Sequence, residues 1–179
     1  MNIKELRASF SESGKILLGA GFVLVFKVLM VRIYNNTGAN AIGLSGMPVT
    51  RAKWVAENVG RVWPLFAPFI GALGAFIAGS NTISNLMLSL FQKSVAESLL
   101  ISGSLVVALQ AVGSAAGNMV AIHNVVAASA TVGLLGQEGT TFRKTILPTI
   151  YYVTVVGTLG LNAIYELGVS DPLAVMKCH

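Results

Sequence analysis

Between Val62 and Phe142 the chain carries only three charged side chains, Lys93, Glu97 and Glu138. A water-soluble body cannot be built across such a stretch, because every outward-facing position needs a group that water will solvate. Soluble domains devote roughly a quarter of their residues to charge for this reason. Over all 179 residues, charged side chains make up 11% and hydrophobic ones 54%, and the mean hydropathy is +0.74. A bilayer removes the demand for a charged coat. The composition therefore predicts an all-α integral membrane protein with polytopic helices.

The remaining charges mark edges. Lys and Arg outnumber Asp and Glu by 12 to 7, which in a soluble chain would point to nucleic acid. Here Lys4, Arg7 and Lys15, then Arg51, Lys53 and Arg61, then Arg143 and Lys144, flank apolar runs. That placement belongs to residues at the water boundary that meet anionic lipid, so the expected partner is a lipid bilayer and not nucleic acid. Both faces hold about equal numbers of cations, so the positive-inside rule does not orient the chain. Cys178, the single cysteine, cannot form an intrachain disulfide. The first apolar run leads into Lys27 and Arg32 instead of a small-residue cleavage site, and it is not read as a signal peptide.

The first span is predicted over Ile16–Ile33, near the ~20 residues a crossing needs. Lys27, inside it, is read as snorkelling to the interface. A Gly/Asn-rich loop, Tyr34–Pro48, precedes an amphipathic stretch, Thr50–Arg61, in which Trp54, Val55, Val59 and Val62 fall on one side. With Trp54 and Trp63 near its ends, this stretch reads as a helix lying in the interface. Residues 1–61 thus form a span plus interfacial helix, and residues 62–179 a transport-type region.

Val62–Ala78 is apolar, but Gly79-Ser80-Asn81-Thr82-Ile83-Ser84-Asn85 interrupts it, and the apolar course resumes only over Leu86–Phe91 before Gln92–Ser94. Irregular backbone at membrane depth survives only where protein or a wet cavity satisfies it. The economical solution is a re-entrant hairpin with a polar tip, both arms short, and Arg61 and Lys93 emerging on one side. Leu99–Gly136 is too long for one span. Its middle, Gly113-Ser114-Ala115-Ala116-Gly117-Asn118, favours a break. A discontinuous helix is expected, one half ending near Gly113 and the next starting near Asn118. Gln137–Lys144 reads as a polar connection. Thr145–Leu167 reads as a last span, with Gly157 and Gly160 for close packing, and a polar tail follows.

Two polar interruptions in consecutive apolar segments are the functional signal. Secondary transporters hold substrate between broken elements at the bilayer midplane. A half-helix starting inside the membrane presents unpaired N–H groups and a positive dipole end, which suits a carboxylate. The candidate substrate-binding residues are Ser80, Asn81, Thr82 and Asn85 at the tip, and Gly117 and Asn118, beside Ser114, at the helix break. The competing reading is that such residues only join helices. His123 is a candidate for proton coupling, against a neutral packing role, because no carboxylate lies between Glu97 and Glu138. Metal-ligand spacing, an acid pair, a Gly-x-Ser-x-Gly elbow and a phosphate loop are all missing from the sequence, so neither an enzyme nor a cofactor is expected.

The run Gly79–Asn85 with Gln92, then Leu109–Gly113, Gly117-Asn118-Met119, His123–Ala128 and Gly133–Gly136, closely resembles the C-terminal region of the L-lactate permease family. That family is similar in turn to a larger ion-transporter superfamily built from inverted repeats. The resemblance implies a multi-pass plasma-membrane (inner-membrane) protein, the second half of an inverted-repeat transporter. It also implies a Ser80-Asn81-Thr82 hairpin tip facing a break at Gly117-Asn118. The implied function is symport of lactate, and of glycolate or a similar 2-hydroxy monocarboxylate, with a proton ahead of sodium as coupling ion. Permeases of this family are several times longer. The chain is therefore expected to be a C-terminal fragment, with a homo-oligomer as one way of supplying the other half. The rival expectation is a non-transporting membrane subunit or a truncated, inactive permease.

Overall fold

The computed structural model describes residues 3–41, 43–134, 136–169 and 171. Among them the chain is helical without strands: α1 (Ile3–Asn35), α2 (Met47–Asn58), a 3-10 turn (Gly60–Val62), α3 (Trp63–Ala78), α4 (Asn81–Ser98), α5 (Gly103–Met119), α6 (Ile122–Thr131) and α7 (Glu138–Tyr165). Among the described residues three stretches are long and apolar enough to cross a membrane: Phe10–Asn35 in α1, Gly60–Ala78, and α7. α5 and α6, bent by 47° at their junction, qualify together as a fourth. This is a multi-pass, all-α membrane protein.

α3 and α5 form the centre. A Cβ added at Gly71 would fall on the Gln110 carbonyl, one at Gly113 on the Pro68 carbonyl, and one at Gly117 on the backbone of Ala72. In lipid the hydrophobic effect does not draw helices together, so close van der Waals approach of small residues has to. α7 joins by the same means, with Gly157 over the Leu65 backbone and Gly160 against the Leu109 side chain. α2 packs through Ala52, Val55 and Val59 onto the cluster formed by Trp63, Phe91, Val95 and Val106.

Four expectations are corrected. α5 runs unbroken through Gly113–Asn118, and the chain breaks at Val120-Ala121. The helix penalty of a glycine, about 1 kcal/mol, is offset at Gly113 and Gly117 by the contact with α3 that only glycine permits. Gln92 does not mark a return to water: α4 continues to Ser98 and Gln92 is fully buried, so the second arm is long. Trp63 is 4% exposed and sits in the core, edge-on to Phe91, while Trp54 stands off the packed stripe of α2, 62% exposed. The residues read as a polar connection after Gln137 already belong to α7.

Gly113→Val and Gly117→Val are expected to destabilise the fold by at least about 1–3 kcal/mol, because the added groups meet backbone that cannot step aside. Gly139→Ala, with open space around it, should be neutral. Thermal unfolding of the purified protein in detergent, scored by retained monodisperse fraction, checks the contrast.

Candidate functional site

The interruption between α3 and α4 is two residues long. Gly79 ends α3 in the left-handed region at φ 67, and its N–H bonds Ala75 O at 2.7 Å, a geometry glycine adopts without steric cost. Ser80 turns extended (φ −156, ψ 124), and its Oγ accepts the Ile83 N–H at 3.4 Å as N-cap of α4. Asn81 and Thr82 follow as the first residues of α4, where backbone N–H groups have no carbonyl one turn behind them.

From this tip a line of amides, half-buried at Asn81 and Asn85 and buried at Gln110 and Gln92, runs into the helix core. Asn85 Nδ2 donates to Asn81 Oδ1 at 3.0 Å, and Gln110 Nε2 donates to Asn85 Oδ1 and Ser84 Oγ, each at 3.4 Å. Gln92 Nε2 donates to Gln110 Oε1 and to Ala67 O, both at 3.2 Å, and Trp63 Nε1 donates to Gln92 Oε1 at 2.8 Å. Ser84 Oγ donates to Gly71 O at 3.1 Å and Ser114 Oγ to Asn81 O at 3.3 Å. Gln92, Gln110, Ser84 and Ser114 are fully buried. Asn85, Gln110 and Gln92 are each held through both amide oxygen and nitrogen, which fixes their orientation and ties three helices to the tip.

The second interruption is stitched to the first. Asn124 Nδ2 bridges the break by donating to Asn118 O at 2.8 Å and to Asn118 Oδ1 at 3.0 Å. His123, the second residue of α6, places Nε2 at 2.7 Å from Gly79 O. A carbonyl only accepts, so Nε2 carries a proton in this contact. The imidazole lies where a Cβ on Gly79 would be. The N-terminal turns of α4 and α6 thus start beside one junction. The adjacent carbonyl, Ala78 O, accepts a bond from Lys27 Nζ of α1 at 2.6 Å, so Lys27 is tied to the tip instead of snorkelling.

Of the residues singled out in the sequence, Ser80, Asn81, Thr82 and Asn85 share the first turns of α4, and His123 meets their junction directly. Asn118 is joined across the α5–α6 break to Asn124, the neighbour of His123 in the chain. Gly117 is inside α5 against Ala72 and takes part in packing. Sequence reasoning gave Gln110 no role of its own and placed Trp63 at the interface, because their partners are distant in sequence. The arrangement offers helix N-termini, hydroxyls, amides and a protonated ring nitrogen, and it is rich in donors without an acidic group in the bonded set. Such a set suits a small anion.

Gln110→Leu should cost about 1–3 kcal/mol, by stranding Asn85 Oδ1 and one side of Gln92. In a double-mutant cycle with Gln92→Leu, the pair should cost less than the sum of the singles. Additive losses in thermal unfolding would show that the amide line is not one unit.

The profile of the L-lactate permease family matches residues 1–165. A Haemophilus influenzae protein with a provisional L-lactate permease name is 47% identical over 170 residues, 92% of this chain and 30% of that protein. A glycolate permease of Escherichia coli is 32% identical over 149 residues, 83% of this chain and 24% of its own length. An L-lactate permease of the same organism is 33% identical over 123 residues, covering 69% and 22%. The chain thus spans less than a third of the length of these relatives. No solved structure matches it.

Proposed function

Because this chain belongs to the L-lactate permease family, we propose that it supplies one side of a site through which a 2-hydroxy monocarboxylate crosses the plasma membrane. The observation that carries the reading is the contact between His123 Nε2 and Gly79 O, since it joins two interrupted segments at one polar point. On this reading α3 and α4 are the arms of a re-entrant hairpin and α5 and α6 a discontinuous helix. Ser80, Asn81, Thr82 and Asn118 then present donors to the carboxylate and 2-hydroxyl. Gly117 contributes by letting α5 approach α3, and Asn85 by orienting Asn81. The names of the relatives, lactate and glycolate permeases, support lactate or glycolate as cargo and a transporter in place of an enzyme.

Coupling is assigned to a proton, with His123 as its carrier. With Nε2–H committed to Gly79 O, Nδ1 takes up the proton, and the imidazolium strengthens the pull on a bound anion; this is the site's route to symport without a carboxylate. The opposite side of the site is assigned to the preceding part of a full-length permease or to a second copy of the chain. A purely structural reading draws on one specific observation: Ser84, Gln92, Gln110 and Ser114 all spend their polar atoms on neighbouring helices. Those four are assigned to helix association, and the tip and break residues to substrate.

The test grafts this chain into a full-length relative in place of its own C-terminal portion and measures labelled L-lactate uptake in cells lacking lactate carriers. Ser80→Ala, Asn81→Ala and Thr82→Ala together should abolish uptake at unchanged membrane level, because charge-assisted bonds of roughly 1.5–3 kcal/mol each are lost. His123→Gln should remove sensitivity to an uncoupler. Uptake by the triple variant at the parental rate would contradict the site.

A further inference from the structure

We propose that Lys27 of α1 is the fixed positive charge of this site and receives the substrate carboxylate at the hairpin tip. The inference rests on the substrate site described above and adds to it a residue from outside both interrupted segments.

Depth is the first argument. α1 meets the hairpin at two places, Lys27 Nζ to Ala78 O at 2.6 Å and Asn35 Nδ2 to Leu86 O at 2.9 Å, and both pairs are separated by 51 positions. A constant offset means that α1 runs alongside α4 in the same direction. Asn35 ends α1, and eight residues of helix place Lys27 about 12 Å back from that end. Lys27 therefore lies at the level of the tip, inside the apolar stretch Phe10–Asn35. Its ammonium has turned to a helix terminus there instead of extending to the interface.

Charge is the second argument. An ammonium has three N–H donors, and Ala78 O is the single acceptor that Lys27 Nζ meets among the described residues. The ion pair among those residues is Lys93–Glu97, both exposed, on the outer part of α4. The sequence has no acid between Glu12 and Glu57, between Glu57 and Glu97 or between Glu97 and Glu138, so α1 beyond Glu12, the tip and the α5–α6 break are free of carboxylates. An unneutralised cation at membrane depth is costly and marks a functional position. A monoanion seated on the first N–H groups of α4 would neutralise it and take up its spare donors.

Lys27 and His123 hold consecutive carbonyls, Ala78 and Gly79, and so flank the point where α4 begins. A structural cap on α3 would need only a neutral donor. A counter-charge needs the ammonium, and this difference makes the two roles separable.

The experiment uses the whole chain reconstituted in lipid bilayers, with Cys178→Ser as parent, and measures binding of labelled L-lactate. Lys27→Gln should weaken binding at least about tenfold with an unchanged unfolding temperature, and Lys27→Arg should remain within a few-fold of the parent. Lys27→Cys should regain affinity after aminoethylation by a methanethiosulfonate, which restores an ammonium, and not after methylthiolation. Binding by Lys27→Gln within twofold of the parent overturns the inference while leaving the tip site standing. If neither the parent alone nor the parent grafted into a full-length relative binds lactate, the substrate site fails first. Labelling of Lys27→Cys by a charged, membrane-impermeant thiol reagent then decides for Lys27: labelling supports a wet, anion-accessible position, and protection from the reagent overturns it.

Discussion

At Gly71, Gly113 and Gly117 the backbones of α3 and α5 come into direct contact, and the other features described here depend on that approach. The buried amides are short-range devices. Gln110 reaches Gln92 and Asn85, and Ser114 reaches Asn81, only because no side chain separates the helices that carry them. If the two helices were moved apart by the width of one methyl group, these bonds would lengthen beyond useful range. Dry, unpaired amides in a membrane interior are costly, so the glycine contact and the polar network stand or fall together.

From that centre the two interruptions follow as consequences of geometry. α3 ends at Gly79 because the left-handed turn lets the chain reverse, and α5 ends at Met119, beyond its last glycine contact with α3. Both ends leave carbonyls that water would ordinarily satisfy. The protein satisfies them with side chains from elsewhere: Lys27 for Ala78, His123 for Gly79 and Asn124 for Asn118. The N–H groups of Asn81 and Thr82 that begin α4 have no carbonyl one turn behind them. Donors from three separate helices at one junction are more than helix association requires, and this is what favours a binding role.

Much of this was legible in the sequence. Apolar length and sparse charge announced the spans at α1, α3 and α7. The Gly-Ser-Asn-Thr run announced an interruption before α4, and Leu99–Gly136 was too long to be one helix. The position of the second break was not legible, because glycine serves both to end a helix and to bring two helices together; Gly113 and Gly117 do the latter. Gln92 looked like a return to water because its partners, Trp63 and Gln110, lie 29 and 18 positions away. Trp63 was misread for the same reason, since an indole at a span boundary and an indole in a core have the same local pattern. Lys27 carried an ambiguity of this kind: snorkelling and binding a helix end begin from the same residue in the same apolar run, and only the tertiary register separates them.

The central claim is that the α3–α4 and α5–α6 interruptions converge on one anion site. Solid-state NMR of the chain in bilayers, with carboxyl-13C L-lactate bound and 15N introduced in the histidine ring and the threonine backbone, tests it most directly. His179→Gln leaves His123 as the only histidine. The account predicts dipolar dephasing of the lactate carboxyl by both the His123 ring and a threonine amide assigned by Thr82→Ser. Bound lactate whose carboxyl is dephased by neither would place the anion elsewhere and contradict the account.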